Sequence, residues 1–341
     1  MTSLKKDEMT RLPVATAAGP QLKTAGSVPS GGPVRRPWPL YIAAVIGVAL
    51  IVMPLAFNMF GRAPKGATML KEFRPFMTSA RLDGFQSDIQ QVSAAVAETN
   101  GPVSQRLKAS SADGSGSADL PSSYTTLSSE WPAIDSTMTT LLDRVQANLG
   151  NYHAVAALPS FTLFPWFFVL PGVIIVGLAG AGLAWPGRRT GIRVAFVVLG
   201  VGLVLAPVMF QMFQRAPEGG RMMSTFRTIE TTSNVERIQS YFSTMASGQG
   251  AIRLDVVPAL EHTGLTSTQL AAQFPAVATL DGNWVHILND MTPMIGAMSD
   301  GVPDYQAIAS LPAFPLFPWF FVLPGAVLAG LALLIRPQGA L

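Results

Sequence analysis

Four stretches of this chain contain no Asp, Glu, Lys, Arg or His: Leu40 to Gly61, Trp166 to Ala184, Val194 to Gln214 and Trp319 to Ile335. A helix that crosses a bilayer needs about 20 mostly apolar residues, with about 17 as the lower limit. Each run meets that length, the fourth narrowly. Only 13% of the 341 residues are charged, against roughly 25% in an ordinary soluble domain. The first run is longer than a signal-peptide core and no A-x-A-like site follows it, so it reads as a retained span.

A repeat organises the four runs. Tyr152–Gly172 and Tyr305–Gly325 are identical at 16 of 21 positions, at a constant offset of 153 residues. The same offset aligns Pro54–Arg74 with Pro207–Arg227, with 11 of 21 matching, among them Arg62/Arg215 and Phe73/Phe226. Gly47 pairs with Gly200 and Trp131 with Trp284. Each unit holds an even number of spans, so both copies enter the membrane the same way up. The expected fold is an all-α integral membrane protein with four transmembrane helices, arranged as two tandem parallel repeats. Each repeat is two spans flanking a helical extracytoplasmic domain.

Orientation follows the Lys/Arg bias of the short flanks. The N-terminal segment carries Lys5, Lys6, Arg11, Lys23, Arg35 and Arg36; Arg188, Arg189 and Arg193 lie between the second and third runs; Arg336 follows the fourth. All fall on one side, which is assigned to the cytoplasm. The expected segments are a disordered tail over 1–36, spans at 37–61, 164–185, 194–214 and 317–336, outside helical domains at 62–163 and 215–316, a cytoplasmic loop at 186–193 and a tail at 337–341. Arg outnumbers Lys 17 to 6 and Ala, Gly and Pro are plentiful, which fits a bacterial plasma-membrane protein with both termini cytoplasmic.

The outside segments have a helical period. Trp131, Ile134, Met138, Leu141, Val145 and Leu149 recur at three- and four-residue steps, which puts them on one helix face. Trp284, Ile287, Met291, Met294 and Met298 repeat that stripe, and Met69, Phe73, Phe85, Ile89, Val92 and Val96 make another. Pro75 predicts a break within the latter. Ser110–Ser123 reads as a flexible loop, whereas Ile252–Thr279 reads as two short helices, Val256–His262 and Ser267–Ala272. The stripes fit a packed core or, alternatively, a Met- and Phe-rich groove for an apolar ligand or partner helix.

The candidate functional residues lie at the span ends. Trp166 and Trp319 suit the membrane–water interface, and Pro165 and Pro318 suit a first helical turn. Pro171-Gly172 and Pro324-Gly325 are expected to kink or break their helices, as are Pro54 and Pro207 near the ends of the first and third runs. These ten positions are either anchors and packing kinks, or a hinge or lateral groove for lipid or a partner helix. Small residues four apart, such as Gly177/Ala181, Gly325/Ala329 and Ala326/Gly330, could let helices approach closely.

Reactive chemistry is hard to find. The absence of Cys removes disulfides, thiolate metal sites and a cysteine nucleophile. His153, His262 and His286 do not recur between the copies, no catalytic motif is present, and Asp83/Glu236 is the one acidic position kept in both. The segments 61–163 and 214–316 hold 8 and 5 basic against 9 acidic residues each, so nucleic acid is not an expected partner. The resulting expectation is a non-catalytic envelope scaffold or accessory subunit without cofactor or metal, whose partners are membrane lipids and a protein. A sensor relaying an outside signal, a subunit of a multi-protein transporter and an unrecognised interfacial enzyme are the alternatives.

Overall fold

The computed structural model describes residues 38–112 and 119–335. It is all-helical, 89% helix without strands. Four helices are long and apolar enough to cross a membrane: α1 (Trp38–Ala56), α6 (Phe164–Ala184), α7 (Arg189–Met209) and α13 (Trp319–Leu334). The tail 1–36, the segment 337–341 and most of the Ser/Gly/Asp-rich stretch lie outside the described residues. Of that stretch, Ser110–Ala112 and Ser122–Ser123 are helical rather than looped.

Between the first two spans run α2 (Met59–Phe73), α3 (Ser79–Glu98), α4 (Ser104–Ala112) and α5 (Ser122–Ala156). Between the last two run α8 (Met212–Ile229), α9 (Thr232–Ala251), α10 (Val257–His262), α11 (Ser267–Gln273) and α12 (Pro275–Ala309). The bounds of α3 and α9, and of α5 and α12, differ by the sequence offset at both ends. So do the π-helical turns Thr99–Val103 and Ile252–Val256. Pro75 falls in the gap between α2 and α3, where Thr78 caps α3 by accepting from Arg81 N; Thr231 does the same for α9 with Asn234 N.

Each of α1 and α7 ends before its apolar run does. The chain turns out of the span at Asn58 (φ 49°) and Gln211 (φ 53°), both left-handed. That conformation costs an ordinary residue about 1–2 kcal/mol and Asn less, so these two polar positions set a corner rather than merely reaching for the interface. Pro54 and Pro207 sit in the last helical turn before it. At the other end, Pro186–Arg188 forms a single turn and α7 already starts at Arg189, so helix extends into the segment 186–193.

The spans pair as α1 with α6 and α7 with α13. Lipid tails are as apolar as the helices, so pairing depends on close packing rather than on exclusion of water. Glycine supplies it at two equivalent crossings. A Cβ on Gly172 would stand 2.7 Å from the Gly47 carbonyl oxygen, and one on Gly325 2.7 Å from that of Gly200. Ala329 completes the second crossing, whereas Gly177 and Gly330 have nothing within 4 Å of a Cβ and serve no crossing. Helices α6 and α13 run unbroken through Pro171 and Pro324.

Outside the spans the two halves interleave. Helix α2 packs on α12 and α8 packs on α5, each across the halves, while α3 and α9 touch both long helices. The stripes Trp131–Ile134–Met138 and Trp284–Ile287–Met291 are buried there, at about 1.5–3 kcal/mol for each large side chain. Polar bonds follow the same exchange. Arg62 donates to Ser310 O (3.5 Å) and Arg215 to Ala157 O (2.9 Å), so each arginine caps the C-terminus of the other half's long helix. Lys65 pairs with Asp304 at 3.7 Å and Arg81 with Asp290 at 2.9 Å.

Replacing Gly172 by Val should cost about 1–3 kcal/mol through overpacking and lower the denaturation midpoint in detergent, while Gly177→Val leaves it unchanged. Because the halves interleave, fragments 1–187 and 188–341 should co-purify when expressed together. Each alone should lose its cooperative melt.

Candidate functional site

Aromatic rings meet their own repeat counterparts along the seam between the halves. Phe73 meets Phe226 with centroids 6.0 Å apart, Phe161 meets Phe314 at 5.9 Å, Phe164 meets Phe317 at 5.6 Å, and Phe168 stacks on Phe321 at 4.7 Å. The LFPWFFVLPG block therefore holds a ring-on-ring column that passes from the polar helices into the spans. Edge-to-face and offset contacts of this kind add about 0.5–1.5 kcal/mol each beyond burial.

The structure separates the ten sequence candidates into three groups. Trp166 and Trp319 lie on the outer surface, 48% exposed each, and take Phe60 and Phe213 edge-on at 5.5 and 5.8 Å. Pro165, Pro318, Pro54 and Pro207 are buried at helix ends, and Gly172 and Gly325 are consumed by the span crossings. Pro171 and Pro324 are half-buried, and of the two Pro171 borders a hollow. That hollow, about 680 Å³ and open on one side, lies between α6 and α7. Ile174 and Leu178 line it from α6, with Val194, Val198 and Gly202 from α7. At Gly191 and Gly202, both on its wall, a Cβ would meet nothing within 4 Å.

Where α8 gives way to α9, one carboxylic acid is enclosed by apolar side chains. Glu230 is 2% exposed, and neither of its carboxyl oxygens has a hydrogen-bond partner. Phe73, Met77, Leu142, Phe226, Met294 and Met298 surround it, drawn from both halves, with a void of about 30 Å³ beside them, room for about one water. Gly301 makes space for the acid: a Cβ there would lie 3.2 Å from Glu230 Oε2 and 3.0 Å from the Phe73 ring. At the repeat-equivalent position of Gly301, Asn148 instead donates to Thr225 Oγ1 at 2.9 Å.

Burial pushes the Glu230 carboxyl up to about 8, because the charged form loses its hydration and gains no cation. On the facing α12, Tyr305 donates its hydroxyl to Met223 O at 2.9 Å, so it offers Glu230 no hydrogen bond. Sequence reasoning passed over Glu230 as one of many scattered acids. A signal was present, since the repeat places it opposite Met77, the one apolar position of that corner turned acidic. A second buried acid, Asp88, lies within the polar cluster of Arg81, His286 and Asp290; burial and Asp290 raise its pKa, while His286 and Arg81 oppose the shift.

His153, His262 and His286 are not brought together, and Asp83 and Glu236 are solvent-exposed. Among the described residues no three His, Asp or Glu side chains gather as a metal site. No protein-family model, curated protein or solved structure matches the chain.

The raised Glu230 pKa sets a pH dependence. Below about 4.5 the acid is protonated in both folded and unfolded chains. From there up to about 8 only the unfolded chain ionises, so stability should fall as pH rises through that window. The wild type should therefore melt lower at pH 9 than at pH 6, by an amount on the order of a few kcal/mol. Glu230→Met, the residue of the equivalent position, should remove most of that difference in a thermal melt.

Proposed function

We propose that this chain is a non-catalytic scaffold or accessory subunit of a bacterial plasma membrane, in which a duplicated unit forms a parallel pseudo-dimer. The Lys/Arg bias of the short flanks supports cytoplasmic termini and an outside position for the interleaved helices. The hollow between α6 and α7 carries the functional reading. Its wall of Gly191, Gly202, Val194 and Val198 is the small and branched surface that membrane helices use to approach each other. It opens along the spans, and Gly191 and Gly202 on its wall take part in neither glycine crossing, so a helix docked on them would leave the internal packing intact. A partner's transmembrane helix, or lipid in its absence, fits it.

A sensor reading gains one observation of its own, the Glu230 acid at the seam between halves. Its ionisation would act on the contact that holds the two halves together, which is where a relay would need to act.

Purification from native membrane in a lipid-preserving system, with mass spectrometry of what remains bound, tests the scaffold. A stoichiometric membrane-protein partner is expected, and Gly202→Leu should release it without lowering the melting midpoint. Recovery of the chain with neither protein nor enriched lipid would reject the reading.

A further inference from the structure

A second opening differs from the hollow in chemistry and in place. It is a cleft of about 480 Å³ between the C-terminal half of α2, the last turn of α5 and the connection Pro159–Phe161. Lys71, Arg74 and His153 line it together with Tyr152, Thr78 and Ser160, and no carboxylate does. All three basic side chains are exposed, and among the described residues none of them forms an ion pair.

The wall between them is built. Tyr152 donates to Leu70 O at 2.7 Å and meets the His153 ring edge-on at 5.6 Å, while Arg74 stands close enough to its hydroxyl to offset part of the rise in pKa that burial causes. At the floor, Phe161 begins the apolar stretch Phe161–Ala184. The cleft thus closes where the bilayer starts.

The other half has no such basic set. Its equivalent positions hold Ser224 for Lys71, Gln306 for His153 and Ala313 for Ser160; of the basic residues only Arg227 is retained. Lys71 and Arg74 face one opening without an anionic partner and repel each other, and an anion, which the His153 ring can also meet as a hydrogen-bond donor, relieves that strain. A lipid whose tails lie beside Phe161 would deliver a phosphate into the cleft without leaving its leaflet. We propose that the Lys71–Arg74–His153 cleft binds the phosphate headgroup of an anionic bilayer lipid in the leaflet adjoining the outside helices. The inference rests on that cleft and on the apolar helices lying in a bilayer, and is independent of what fills the α6–α7 hollow.

Native mass spectrometry of the full chain, released from nanodiscs of phosphatidylcholine with about one-third phosphatidylglycerol, reads the site directly. The wild type should retain phosphatidylglycerol in preference to phosphatidylcholine. K71S/H153Q, which installs the residues of the other half, should weaken retention by about tenfold, near the loss of one surface cation and the imidazole beside it. R221S, an exposed arginine elsewhere paired with Glu218, should retain it fully. Unchanged melting midpoints establish that the variants are folded, and R74Q alone serves if the pair is not. Equal retention of the two lipids, or equal retention by K71S/H153Q and the wild type, would overturn the proposal. Displacement of phosphatidylglycerol by millimolar inorganic phosphate would overturn its lipid part in favour of a soluble anion.

Discussion

The long helices α5 and α12 carry apolar stripes that their own halves cover only in part. Helix α2 covers α12 and α8 covers α5, so burial of either stripe requires both halves. Everything else in the body between the spans is arranged around that exchange. The reciprocal caps of Arg62 and Arg215 close helix ends that only the exchange brings within reach. The ring pairs from Phe73/Phe226 down to Phe168/Phe321 then run along the seam and carry it into the spans. A residue can touch its own counterpart only close to an axis that relates the two.

Much of this was readable in the residues. Four uncharged runs gave four apolar helices, and the three- and four-residue steps of Trp131–Leu149 gave the buried face of α5. The pair Val256–His262 and Ser267–Ala272 falls within one residue of α10 and α11 at each end. Other features were out of reach for physical reasons. Which half covers a stripe depends on long-range geometry, and the two candidate partners, α2 and α8, share the apolar pattern Met59/Met212, Met69/Met222 and Phe73/Phe226. Proline suggested breaks at Pro171 and Pro324, yet a helix continues through proline when neighbouring packing compensates for the lost hydrogen bond. The glycine that follows each proline answers to the facing helix, a constraint visible only when Gly47 and Gly200 are seen opposite.

Departures between equivalent positions turn out to be as informative as the identities. Identical residues mark the column, the crossings and the caps, all of which serve the packing. The exceptions carry the chemistry: Glu230 where the other half has Met77, and Lys71 with His153 where it has Ser224 and Gln306. Two-fold likeness makes a stable frame, and single-sided substitutions on it create polar environments that symmetry would otherwise cancel.

The interleaving has a consequence for the order of synthesis. Helix α2 leaves the ribosome long before α12 exists, and in the interval α5, the repeat counterpart of α12, is the neighbour available for docking. Such a contact would be an early trap, since late long-range pairing is slow compared with local collapse. Lys65 distinguishes the two surfaces: on α12 it meets Asp304, whereas the same position on α5 is Asn151. The ion pair that α12 alone offers to Lys65 makes the premature contact the weaker one, and leaves α2 free to exchange once the second half has been made.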